Sequence, residues 1–202
     1  MKLVIIGAHL RREDVEPVAN AVPVGDIFLS GMPVEDDQPL GDRELLIRVA
    51  RLRAELLERA TFVAIRYGFA SSSPEAKALP HAARWKALLE ENRSRVEMTL
   101  KIAAANPKKR PDRRDFRSGA EYLKALHEST ANIDDAFRGE VEKRLIPLSA
   151  RHVWSSSELA LLIERAKLDE VRAAGEELKR TKVPFLLSGP WPLEVFADAD
   201  HE

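Results

Sequence analysis

Arg95-Val96-Glu97-Met98-Thr99-Leu100-Lys101-Ile102 is the stretch from which the fold can be read. Val96, Met98, Leu100 and Ile102 alternate with Arg95, Glu97, Thr99 and Lys101. Successive side chains of a strand point to opposite faces. Period two therefore predicts a strand with one core face and one face that is wet or paired with charge. C-terminal to it, Pro107, Pro111 and the cations Lys108, Lys109, Arg110, Arg113 and Arg114 interrupt regular structure. Ser118-Gly119-Ala120-Glu121 is a capping-box pattern. The stripe Tyr122, Leu126, Ile133, Phe137, Val141 and Leu145 predicts a helix reaching about Ile146. A short strand follows at residues 150–154 and a second apolar run at 158–165, turned by Ser155-Ser156-Ser157; by composition that run could be helical, and the short polar turn favours a strand. Leu168, Val171, Ala174 and Leu178 predict a second helix, and Val183-Pro184-Phe185-Leu186-Leu187 a last strand, ended by Gly189-Pro190. From Val96 onward the order is strand, helix, strand, strand, helix, strand. That is the ferredoxin-like arrangement of an α+β protein.

N-terminal to residue 95 the signals are similar in kind. Residues 2–8 read as a buried strand, and Asp26-Ile27-Phe28-Leu29-Ser30 as another, bounded by Gly25 and Gly31. Asp42 is placed to cap a helix whose stripe is Leu45, Val49, Leu52 and Leu56, widened by Leu46 and Leu57. Residues 61–69 read as a third strand that Gly68 ends or bulges. Ser73-Pro74-Glu75 opens a helix running to about Asn92, with Leu79, Ala83, Leu88 and Leu89 on its buried side. This N-terminal part reads as an incomplete or modified version of the arrangement that follows it.

Composition bounds the function. The 202 residues carry 32 Lys and Arg against 33 Asp and Glu, a formal charge of −1. Nothing draws the whole chain to nucleic acid or to an anionic membrane. The absence of cysteine excludes disulfides, thiolate catalysis and Cys-ligated metal. No uncharged stretch approaches the ~20 residues that span a bilayer, and residues 1–7 are too short for a secretion signal. A soluble, cytoplasmic protein is expected. The five histidines (His9, His81, His127, His152 and His201) are scattered, without the i, i+4 pairing of a zinc helix. No Gly-rich phosphate loop or nucleophile elbow is present. The expectation is a non-enzymatic protein with no cofactor and no metal. The basic run at residues 108–117 reads as a solvated loop rather than an RNA platform, because no aromatics interleave it.

One motif stands apart. In Leu187-Ser188-Gly189-Pro190-Trp191-Pro192, two prolines flank a Trp and hold its backbone at low entropic cost. Phe196 follows. The indole either pins the tail to its own domain or offers an aromatic docking surface. The bland reading places it buried against the C-terminal domain. Arg66-Tyr67-Gly68 presents the same choice, a ligand site or a charge-satisfied strand end.

Strand-Gly-Pro-Trp-Pro-x-x-x-Phe resembles the signature of the gas vesicle protein F/L family, whose usual form is Gly-Pro-Trp-Pro-Pro-Tyr-Ser-Phe. Gly189, Pro190, Trp191, Pro192 and Phe196 match it; Leu193, Glu194 and Val195 depart from it. Ile65-Arg66-Tyr67-Gly68-Phe69 resembles the family's Pro-x-Arg-Phe-Gly-Thr, with Arg66 and Gly68 in place. Val96, Glu97 and Lys101 match its Val-Glu-x-x-Val-Lys strand, and Gly119, Tyr122 and Leu123 its Gly-x-x-Tyr-Leu helix start. The resemblance implies two ferredoxin-like or modified ferredoxin-like domains joined by a helix, with a short C-terminal tail. The boundaries would be residues 1–93 and 94–202. It implies a gas vesicle assembly or accessory protein that binds the shell protein and other accessory proteins during vesicle nucleation or growth. Gly189, Pro190, Trp191, Pro192, Phe196, Arg66, Tyr67 and Gly68 become the partner-binding candidates. The alternative is a regulatory ferredoxin-like protein that binds a small molecule across its sheet.

Overall fold

The computed structural model describes residues 2–102, 112–123, 135–155 and 157–198. Lys108, Lys109 and Arg110 of the basic run, Leu126 and Ile133 of the long helix, His127 and His201 lie outside the described residues. The chain is a mixed α+β protein in two compact units, Met1–Val96 with Trp191–Glu202, and Glu97–Pro190. Of the described tail, residues 191–198 thus join the first unit, whereas the expected boundary groups them with the second.

In the first unit, β1 (Lys2–His9) is central. It pairs antiparallel with β3 (Ile27–Val34) on one side, and with two short strands, β4 (Val63–Ala64) and β5 (Ala70–Ser71), on the other. β2 (Asn20–Val24) pairs with β3 as the edge strand, giving the order β2-β3-β1-β4. The sequence reading passed over β2. Its signal is Val22 and Val24 alternating with the exposed Pro23, followed by Gly25-Asp26. A two-residue Gly-Asp loop between alternating apolar residues marks a hairpin, and proline is tolerated on an edge strand. The single strand expected at residues 61–69 is split. Residues 65–69 leave the sheet between β4 and β5, tied to β1 by Ile65 N to Ile6 O at 3.1 Å and Ile5 N to Phe69 O at 2.9 Å.

Helix α1 (Arg43–Arg59) follows the expected stripe closely. Asp42 caps it, its Oδ2 accepting from Leu45 N at 3.2 Å. Leu45, Val49, Leu52, Leu56 and Leu57 are buried, each side chain worth about 1.5–3 kcal/mol when fully removed from water. Leu46 is exposed, because i+1 from Leu45 lies off the stripe. Helix α2 (Pro74–Glu91) corrects the expectation at its N-terminal half. Pro74, Ala78 and Ala82 face inward, with Leu88 and Leu89, while Leu79 is 60% exposed and Ala83 is exposed as well. The stripe of small residues was the buried one, and hydrophobicity alone favoured the leucine.

The second unit has one sheet of order β7-β8-β6-β9, built from β6 (Arg95–Ile102), β7 (Ser149–Ser155), β8 (Glu158–Glu164) and β9 (Phe185–Trp191). Described helices are residues 119–123, α3 (Asp135–Leu145) and α4 (Leu168–Leu178). Met98, Leu100 and Ile102 meet Phe137, Val141 and Leu145 of α3 and Leu159, Leu161 and Ile163 of β8 in one core. Val171 and Leu178 of α4 close it, with Phe185 and Leu187 of β9 packed against it. Phe137 and Phe185 lie 5.7 Å apart, ring to ring.

Two expectations change here. β6 is buried on both faces along most of its length: Glu97 is 2% exposed and Thr99 9%. β6 is an interior strand, and alternation in sequence does not distinguish an interior strand from an edge. Lys101 remains exposed, 3.2 Å from Glu158. The last strand also does not stop at Gly189-Pro190 but continues through it to Trp191. Pro190 has no N–H to place in a ladder, which is tolerated because β9 is the edge of its sheet.

Candidate partner-binding site

The tail enters the first unit as a single added strand residue. Leu193 forms a parallel bridge with Val63. Its N–H donates to Phe62 O at 2.9 Å, and its carbonyl accepts from Ala64 N at 2.9 Å. Leu193 and Phe196 are completely buried, and Pro192 is buried with them. A short helix, α5 (Val195–Asp198), carries Phe196.

Phe62 is the receiving surface, and its position traces to a glycine. A Cβ on Gly7 would come within 2.3 Å of Phe62 Cδ2 and 2.9 Å of Val63 O. Only glycine lets this ring lie so close to β1. Phe62 then stacks on His9 at 4.9 Å with the planes 22° apart. His9 is fully buried, and its Nε2 lies 2.9 Å from Ser30 Oγ. Ser30 Oγ donates in turn to Gly7 O at 3.3 Å. That leaves Nε2–H as the donor to Ser30, and Nδ1 with no hydrogen-bond partner among the described residues.

Burial holds the His9 pKa down at about 3. The folded value is depressed below the ordinary 6.5, so the unfolded chain takes up a proton that the native state refuses. His9 therefore costs no stability above pH 6.5, and stability is lost progressively as pH falls from there toward 3. We expect a loss of about 2 kcal/mol between pH 6.5 and pH 5 from this one group. Denaturant melts across that range measure it. His9→Leu should flatten the slope, and an unchanged slope would assign the effect to other groups.

The predicted residues divide as follows. Trp191, Pro192, Phe196, Arg66, Tyr67 and Gly68 belong to the first unit, and Gly189 and Pro190 to the second. Within the first unit the two distant motifs come together at the Val63–Leu193 bridge. Ala64 lies two residues before Arg66, and Leu193 two residues after Trp191. Tyr67 is fixed, its hydroxyl donating to Leu40 O. Gly68 occupies an exposed turn. Arg66 is exposed, and its guanidinium makes no hydrogen bond or ion pair among the described residues. Among the described residues, the charge partner that its sequence context suggested is not found.

The main correction concerns Trp191. The rigid corner was expected to bury the indole, but Trp191 is 47% exposed. Burial is carried instead by Pro192, Leu193 and Phe196. The pin of this motif is thus the segment after the Trp, and the indole itself stands half in solvent. Sequence reasoning missed Leu193 because it departs from the expected motif. Its apolar character, two residues beyond the corner, was the available signal.

The arrangement offers apolar and aromatic contact together with a cation, Arg66, that has no ion-pair partner among the described residues. Among the described residues, no group of three or more His, Asp or Glu is placed to hold a metal ion, and no helix is long and apolar enough to cross a membrane.

Fold and site together define a two-unit α+β protein with a tail strand returned to its first unit. No family model matches the sequence, and no curated protein matches it. Among the solved structures that match in fold, two do so over nearly the whole chain. One is the gas vesicle protein GvpF from Anabaena sp. PCC7120, at 14% identity and TM-score 0.69, covering 98% of this chain and 96% of that one. The other is GvpF from Microcystis aeruginosa, at 13% identity and TM-score 0.71, covering 98% and 99%.

Proposed function

We propose that this protein is a gas vesicle assembly factor. It acts without catalysis and binds the shell protein and other gas vesicle proteins during nucleation or growth, in the cytoplasm and in association with the vesicle. Whole-chain likeness to two GvpF folds supports the setting, and the Gly189, Pro190, Trp191, Pro192 and Phe196 motif supports the family. The observation that carries the partner-binding role is the half-exposed Trp191, which precedes the buried Leu193 and Phe196 in the chain. Trp is the residue type most often found at the energetic centre of an interface. A rigid backbone on either side lowers the ordering cost of docking.

We also read both units as ferredoxin-like or modified ferredoxin-like. The order β7-β8-β6-β9, with a helix before β7 and another before β9, supports this for the second. The first is the modified case, with the β2–β3 hairpin preceding α1 and the last strand divided into β4 and β5.

The test is capture of co-expressed shell and accessory proteins by the tagged full-length chain. Trp191→Ala should lower capture about tenfold or more. Its melting profile should remain that of a folded protein. Wild-type protein that captures no gas vesicle protein would defeat the assembly role. Undiminished capture by Trp191→Ala would remove the corner from it.

A further inference from the structure

A second surface of the first unit has the composition of a binding site. An open trough of about 380 Å³ lies between α1 and the β2–β3 edge of the sheet. Val18, Met32 and Leu52 supply apolar lining. Met32 and Leu52 are 7% and 9% exposed. Arg48, Arg51 and Glu55 line it from exposed positions on α1.

The arginines of α1 are not equivalent. Arg53 donates to Ile65 O at 2.5 Å, and Arg59 donates to Glu13 O at 3.1 Å and Glu16 O at 3.0 Å. Those two tie the helix to its own unit. Arg48 and Arg51 sit one turn apart on the trough and make no hydrogen bond or ion pair among the described residues. Neighbouring like charges at this spacing repel by a few tenths of a kcal/mol. A carboxylate bound between them would relieve that repulsion and accept from both forks. Alongside, β2 pairs with β3 only, so its outer backbone edge has no strand partner among the described residues.

We propose that this trough binds an acidic peptide segment of another protein. One carboxylate is held by Arg48 and Arg51, an adjacent apolar side chain rests on Met32 and Leu52, and the peptide backbone lies along β2. A free phosphate fits less well. The trough is open, so salt screens a bare ion pair there, and the apolar lining would go unused. Trp191 is not part of this surface, so the proposal stands apart from the role proposed above and fails separately from it.

The experiment titrates full-length protein into a fluorescein-labelled peptide that alternates leucine and glutamate, read by anisotropy. Saturable binding is expected. Arg48→Glu with Arg51→Glu should weaken it about tenfold or more. Glu55→Gln should tighten it by removing a like charge from the trough. Arg43→Glu, on the same helix but outside the trough, should leave it unchanged. All four positions are exposed, so thermal melts should coincide with wild type. If the double reversal melts lower, Arg48→Gln with Arg51→Gln takes its place. Absence of saturable binding, equal loss in Arg43→Glu, or equal binding of a leucine–lysine peptide would overturn the proposal. So would displacement by glutarate or inorganic phosphate at concentrations matching the peptide, which would make the trough a small-anion site.

Discussion

Gly189→Ala is expected to destabilise the protein by about 3 kcal/mol or more, from added strain and overpacking. Gly189 has φ +124°, a conformation that residues with a Cβ rarely adopt. Space is lacking as well. A Cβ there would meet Met98 Sδ at 2.7 Å and Glu97 O at 2.9 Å. Shortening Met98 would relieve the sulfur contact, but the carbonyl belongs to β6 and cannot withdraw without parting β9 from the sheet. Hydrogen-bond contact continues just before, where Ser188 Oγ donates to Thr99 O at 3.4 Å. Denaturant melts of wild type and variant decide the matter. A loss under about 1 kcal/mol would mean that β9 can lift at this point, and that glycine is there for another reason.

Phe196→Ala should cost about 3–5 kcal/mol, and Trp191→Ala about 1–2 kcal/mol. The order is the reverse of what side-chain size suggests. Phe196 is completely buried, so truncation loses its transfer energy and leaves a cavity; Trp191 is 47% exposed and loses only part. The pair separates fold from docking. Phe196→Ala should release the tail, and its binding loss should follow its stability loss. Trp191→Ala should lose binding out of proportion to stability. Measuring both quantities on both variants is informative whichever way it falls. A Trp191→Ala loss as large as that of Phe196→Ala would make the indole a structural pin after all.

Much of the fold is legible in the residues because the signals are local. The alternation of Arg95 to Ile102, the short strands around Ser155-Ser156-Ser157, the Asp42 cap and the Leu45, Val49, Leu52, Leu56 stripe each depend on near neighbours in the chain. The structure has all of them. Where two local signals competed, the louder one misled. Leu79 outweighed Ala78 and Ala82 on α2, yet the alanines are buried and Leu79 is 60% exposed. Close approach of a helix favours small side chains, and hydrophobicity does not register that.

The candidate site was legible in its members but not in its arrangement. The residues themselves determined that the chain is α+β, that Gly189-Pro190 constrains the backbone, and that Trp191 and Phe196 follow that corner. Tertiary structure alone decided which aromatic is buried. Leu193 finds its hydrogen-bond partners at Phe62 and Ala64, and those are in place because Gly7 admits the Phe62 ring onto β1. The same holds for β6, where Glu97 is buried on the face that its charge assigned to solvent. Backbone conformation and periodicity are properties of a short segment. Burial is a property of what arrives from elsewhere in the chain, and no segment carries that information about itself.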